Sequence, residues 1–170
     1  MEIPLPIETE RLLIRVFEPG DAEEMARAYC YPEVMRYIPG GADADLDAVR
    51  RRITTYRLHQ EERGFSSWAL VERASEQLIG DVGFGVFEPT GDLELGYSLA
   101  QHRWGLGYAT EAAAACLQVA FAHLDVPRIV AVVDAENEAS LRVPERIGMS
   151  RAGELKPRGR PHVLFEARRG

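Results

Sequence analysis

The chain holds almost no cysteine. Cys30 and Cys116 stand far apart in apolar or aromatic surroundings without metal-ligand spacing, so buried, reduced thiols are expected. The four histidines, His59, His102, His123 and His162, are equally scattered, and no metal is expected. No apolar run is long enough to span a bilayer, and Met1 to Pro6 lacks both a basic region and an apolar core. A cytoplasmic location and no membrane partner are expected. Acidic residues outnumber basic ones, 27 to 20, and the net charge of −7 disfavours nonspecific nucleic-acid binding while suiting a cationic substrate.

What is present is ordinary globular material. A chain of 170 residues with 46% hydrophobic and 28% charged positions fits a single domain over residues 1–170. A domain of that size buries roughly 70% of the surface its unfolded chain exposes, so it needs no staples. Arg11 to Val16 reads as a first strand, followed by a helix over 22–29 with Asp21 placed to cap it, and a second helix over about 45–62. The segment from Tyr31 to Gly41, rich in turn formers and aromatics, suits either a pocket lining or a packed connector.

Strands over 67–73 and 78–86 form an antiparallel hairpin, and 92–99 extends the meander. From Thr110, apolar residues recur at helical spacing through Ala113, Cys116, Leu117, Ala120 and Leu124. The β-branched run 128–133 reads as a strand covered on both faces. A helix over 138–147 stopping at Gly148 and strands over 149–155 and 163–168 complete the order β-α-α-β-β-β-α-β-α-β-β. The pattern implies a mixed α/β (α+β) sheet of about seven strands with helices on both faces.

The most informative stretch lies between strand 92–99 and the long helix: Trp104-Gly105-Leu106-Gly107-Tyr108-Ala109-Thr110-Glu111. Glycines at 105 and 107 let successive N–H groups point into one concavity, and the helix N-terminus adds its partial positive charge, so a pyrophosphate could be held there. No Lys-Ser/Thr follows the glycines, which disfavours a nucleoside triphosphatase loop. No G-x-G-x-x-G follows a strand, which disfavours a dinucleotide-binding fold.

Several motifs in order resemble the GNAT superfamily of N-acetyltransferases, in particular the branch acting on ribosomal-protein N-termini. They are Glu8-Thr-Glu-Arg-Leu-Leu-Ile-Arg15, Pro32 to Ile38, Leu78-Ile-Gly-Asp81, Glu94-Leu-Gly-Tyr-Ser-Leu99, Trp104 to Ala112, Asn137 to Val143 and Glu145-Arg-Ile-Gly148. The resemblance implies a mostly antiparallel sheet splayed between its fourth and fifth strands, 92–99 and 128–133. It also implies acetyl-CoA as cosubstrate. Its diphosphate would lie on the amides following Trp104, namely Gly105, Leu106, Gly107, Tyr108, Ala109 and Thr110, with Trp104 where Arg or Gln often stands. The pantetheine arm would run along the splay against Leu99 and Ala100.

By the same resemblance, Asn137 contacts the pantetheine arm and Ser140 stands near the sulfur as donor to the leaving thiolate, though Asn137 also suits a helix cap. The tyrosine acid that many family members carry seven residues after the Asn is replaced by Pro144. Proline there removes an N–H and crowds the Ser140 carbonyl, so a kink is expected. Glu94 shares a strand face with Gly96 and Ser98 and is the candidate general base, with a solvated strand Glu as the plain alternative; Tyr97, on the other face, reads as core. The expected reaction is acetyl transfer to a primary amine. An α-amine with pKa near 7.7–8.0 is roughly one part in seven neutral at pH 7, against about one in 2,500 for lysine, so a protein N-terminus makes the smaller demand on a base. A polyamine, aminoglycoside or other small amine is the alternative acceptor, and a non-catalytic acyl-CoA sensor is the alternative of another class. The acceptor would be set by residues 29–41 and 156–162, and homodimers are common in the resembled family.

Overall fold

A computed structural model describes residues 2–29 and 45–170. Eight strands form one sheet: β1 (Ile7–Glu8), β2 (Leu12–Arg15), β3 (Ser67–Glu72), β4 (Gln77–Phe87), β5 (Asp92–Leu99), β6 (Arg128–Asp134), β7 (Ser150–Leu155) and β8 (His162–Arg168). Their spatial order is β1-β2-β3-β4-β5-β6-β8-β7. Every neighbouring pair is antiparallel except β5 and β6, which are joined by the crossover helix. The sequence reading counts seven strands; the eighth is the two-residue β1, too short to show any alternation.

The helices among the described residues are α1 (Ala22–Tyr29), α2 (Leu46–Arg63), α3 (Tyr108–His123) and α4 (Glu138–Arg146). Asp45 caps α2 by accepting from Ala48 N at 2.7 Å, and Gly64 closes it in the left-handed region. The chain leaves α4 through a Schellman turn at Gly148 (φ 89°), in which Met149 N donates to Pro144 O and Gly148 N to Glu145 O. The role read for Asp21 is corrected. Its carboxylate holds Glu18 N at 2.7 Å and Arg15 at 2.8 and 2.9 Å, locking the short 3-10 turn ahead of α1 rather than capping that helix.

The sheet divides the core in two. Trp68, Val82, Phe84, Leu95, Ile129 and Ala131 pack beneath α3, whose Ala112, Ala113, Cys116 and Ala120 are fully buried and bring the helix close to the strands. On the opposite face, Ala69 and Leu78 pack with Phe17, Met25, Tyr29, Val49 and Ile53 from α1, α2 and the approach to α1. Cys116 is a free, buried thiol, which burial pushes up to about 12, so it is inert. Cys30 and the segment Tyr31 to Gly41 lie outside the described residues.

Candidate active site

Strands β5 and β6 run together only briefly. They pair through Leu93↔Ile129 and Glu94↔Val130, whereas β5 stays registered with β4 as far as Leu99, and β6 with β8 as far as Asp134. Beyond Glu94 and Val130 the two parallel strands part, leaving a V between them. Arg128 ties the closed end, donating to Asp92 of β5 at 2.6 Å and to Glu166 of β8 at 2.8 Å. Those carboxylates hold its guanidinium above the ordinary arginine range.

The main chain of β5 faces this V at alternate residues. Ala100 N donates to Ile79 O at 2.7 Å, which makes Leu99 and Gly80 a pair without mutual hydrogen bonds. The N–H groups of Leu99 and, two residues back, Tyr97 are therefore turned away from β4 toward the V. Leu99 O accepts the Trp104 indole N–H at 2.9 Å. Ala100 is already engaged through both its main-chain groups, its carbonyl accepting from Arg103 N. Among the described residues, the main-chain donors left free along this edge are thus Tyr97 and Leu99.

At the open end of the V lies the turn into α3. Gly105 and Gly107 have φ of 76° and 80°, the left-handed conformation that glycine adopts without strain, and Gly107 is the helix N-cap with no side chain to bond the first turn. Among the described residues, none of the amides of Gly105, Leu106, Gly107, Tyr108, Ala109 and Thr110 donates to a protein acceptor. Trp104 and Leu106 stand exposed beside them.

Two carboxylates, buried Glu72 and half-buried Glu111, brace this turn from below, and sequence reasoning assigned neither a role. Glu111, in the first turn of α3, accepts from Thr9 Oγ1 at 2.5 Å, Arg11 Nε at 2.7 Å and Arg11 N at 3.1 Å. Arg11 in turn donates to Leu106 O at 2.8 Å and lies 4.3 Å above the Tyr108 ring. Glu72 of β3 accepts from Ser75, from the Tyr108 hydroxyl at 2.5 Å and from Arg103 at 2.9 Å. Those donors, Ser75 first, hold its carboxyl down at about 2. The signal available in the sequence was the Thr9–Arg11 run inside a recognised motif and a lone Glu closing an apolar strand.

Asn137 caps α4, its Oδ1 accepting from Ser140 N at 3.2 Å, and its amide N–H groups meet no acceptor among the described residues. Pro144 lies inside α4, which continues through it to Arg146. The Ser140 carbonyl that the missing N–H would have bonded instead accepts the Tyr97 hydroxyl at 2.8 Å. Tyr97 is thus half-buried against the α3 side of the core, as its parity implies, and also latches α4 to β5. Burial raises its hydroxyl above the usual phenol range.

Glu94, Gly96 and Ser98 share the other sheet face. Burial raises the Glu94 carboxyl above the usual range, and the nearby His162, at the end of the 156–162 turn, opposes that shift. Ser140 and Tyr97 therefore approach the V from the α3 side, and Glu94 from the α1 side.

Residues 11–150 match the family described as the acetyltransferase (GNAT) domain, and the chain belongs to that family. It is an acetyl-CoA-dependent acetyltransferase. The chain is 32% identical to the uncharacterized N-acetyltransferase YoaA of Bacillus subtilis (strain 168) over 88% of its length and 85% of that protein. A GNAT-family acetyltransferase of Bacillus anthracis superposes with a TM-score of 0.83 at 29% identity, covering 96% of this chain and 98% of that one. A ribosomal-protein-S5-alanine acetyltransferase of Vibrio fischeri shares the fold, with a TM-score of 0.80 at 21% identity over 97% of each chain.

Proposed function

We propose that the protein moves the acetyl group of acetyl-CoA to a primary amine, with a protein or peptide N-terminal α-amine as the first acceptor to test. The observation that carries this reading is the run of six main-chain amides, 105–110, left without acceptors among the described residues at the mouth of the V. Such a fan suits the coenzyme diphosphate, and the free N–H groups of Tyr97 and Leu99 suit the pantetheine amides as an added strand would. Asn137 can offer its amide N–H groups to the same arm. The Vibrio fischeri neighbour, an enzyme of a ribosomal-protein alanine, makes the α-amine the first choice of acceptor.

Transfer needs a neutral amine. Its nitrogen attacks the thioester carbonyl carbon, the C–N bond forms, the C–S bond breaks, and the thiolate leaves with a proton. Glu94 offers a carboxylate whose raised affinity for protons makes it a better base than a solvated glutamate, on the face opposite α3. Ser140 Oγ is the hydroxyl we assign to the departing thiolate, whose free pKa would resemble that of a thiol near 8.5. Tyr97 fixes the Ser140 main chain.

Thiol release from acetyl-CoA, measured over N-terminal peptides, spermidine and aminoglycosides, tests the reading. Turnover on peptides supports the first acceptor and turnover on small amines the alternative. Saturable coenzyme binding without turnover on any amine would identify a sensor instead. Loss of coenzyme affinity in Gly107→Trp is expected, since the position needs a left-handed backbone and lies 3.4 Å, at its would-be Cβ, from the Arg11 guanidinium.

A further inference from the structure

A second carboxylate lies on the acceptor side of the sheet, and it is closer along the sheet to the open V than Glu94. Asp81 of β4 stands directly opposite Ser98 of β5 and Ala69 of β3, so its side chain shares their face. Ser98 lies between Tyr97 and Leu99, the two residues whose N–H groups face the V. Glu94 is four residues away along β5, ~13 Å at the usual strand rise. It pairs with Val130 where the V is still closed.

Gly96, beside Ser98, and Gly85 leave the face next to Asp81 open. Gly83 and Gly96 face each other across β4 and β5, and Gly85 follows on the same face. A Cβ at Gly85 or Gly96 would meet no described atom within 4 Å, so the floor of this face opens onto space. At Gly83 a Cβ would strike the Ser66 carbonyl at 2.1 Å, so the close strand approach itself demands glycine there.

Ser67 Oγ donates to Asp81 Oδ2 at 2.6 Å, and among the described residues Oδ1 accepts no hydrogen bond and no cation is paired with the group. Around it β3 presents Ser67 and Ala69, and β5 presents Ser98 and Gly96 with Glu94 further along. The adjoining α1 contributes Met25 and Tyr29, and its Glu24 is held by Leu78 N. A half-buried carboxylate with no cation among the described residues weakens the fold it sits in, which is understandable where a cationic ligand completes it.

We propose that Asp81, oriented by Ser67, binds the acceptor's ammonium at the level of the thioester and takes the proton that frees the nitrogen for attack. This rests on the acetyl-transfer reading and deepens it. The ammonium gives one proton to Asp81 Oδ1, and the neutral nitrogen then forms the C–N bond as the C–S bond breaks. The second nitrogen proton leaves with the thiolate through Ser140, and Asp81 returns its own proton to solvent. Asp81 thereby takes over the role of base offered above for Glu94, which at the far end of the glycine floor adds negative potential along the cation's approach. Burial pushes the Asp81 carboxyl up to about 7, which matches an acceptor of an α-amine proton near neutrality.

The test is the pH profile of kcat/KM for the best amine, with coenzyme affinity measured separately. Asp81→Asn should lower kcat/KM about 100-fold and move the acidic limb up to the pKa of the acceptor amine itself, with the Kd for CoA within about twofold of wild type. Ser67→Ala should move that limb to higher pH, because it loses a hydrogen bond to the ionised form. An acidic limb that keeps its wild-type position in Asp81→Asn and moves in Glu94→Gln would overturn the proposal, as would an unmoved limb in Ser67→Ala. A wild-type protein that binds CoA and acetylates no amine would instead remove the transfer reading, and this proposal with it.

Discussion

Single carboxylates with opposite environments organise the site. Glu72 and Glu111 are surrounded by donors and act as braces, while Asp81 and Glu94 are short of donors and are left basic. If Glu111 holds the turn open by anchoring Arg11 and Thr9, then Glu111→Gln should weaken CoA binding on the order of tenfold, about 1.4 kcal/mol, through disorder in the turn. Isothermal titration with CoA measures it; unchanged affinity would show that the turn keeps its shape unaided. Glu94 was legible as a site candidate because strand alternation puts it on one face with Gly96 and Ser98. Asp81 was not, because its partner Ser98 and its support Ser67 come from other strands. The register that joins them passes a bulge between Leu70 and Val71 that no local pattern announces.

Among the elements, α4 shows how a local defect is used. The sequence reveals that Pro144 frees the Ser140 carbonyl, but the residue that takes it up, Tyr97, is 43 positions distant. Removing the hydroxyl leaves that carbonyl unpaired, so Tyr97→Phe should destabilise the fold by about 1–3 kcal/mol. In a Pro144→Ala background the restored N–H can bond Ser140 O, and the same substitution should cost about half as much or less. Denaturant unfolding of the four proteins closes the cycle; equal losses in both backgrounds would show that the two groups do not share the carbonyl. The long elements were legible because their periodicity spans many residues: α3 and the β4–β5 meander fall where the apolar pattern puts them, to within two residues. The Asp21 reading failed because a tertiary partner, Arg15, outcompetes the helix amides for its carboxylate.

At the scale of the whole molecule, these carboxylates set how stability varies with pH. Glu72 is held at about 2 when folded against an ordinary 4.5, so its contribution is present above pH 4.5 and lost as pH falls toward 2. Asp81 runs the other way. Raised from 3.8 to about 7, it is protonated in the folded state and ionised in the unfolded one between those values, so stability falls as pH climbs through that window. Asp81→Asn should therefore raise Tm at pH 8 and leave it nearly unchanged at pH 4, as thermal unfolding at both pH values will show. An equal shift at both would mean that ionisation at this position does not strain the fold.

The sheet order, the single parallel pair and the parting of β5 from β6 follow from one crossover through α3, and the glycines at 105 and 107 set the turn where that helix begins. The most direct test is a crystal structure with bound CoA. The account predicts diphosphate oxygens within hydrogen-bond reach of the main-chain nitrogens of residues 105–110 and the pantetheine arm between β5 and β6. A coenzyme bound elsewhere, or those nitrogens already donating to protein acceptors, would contradict it.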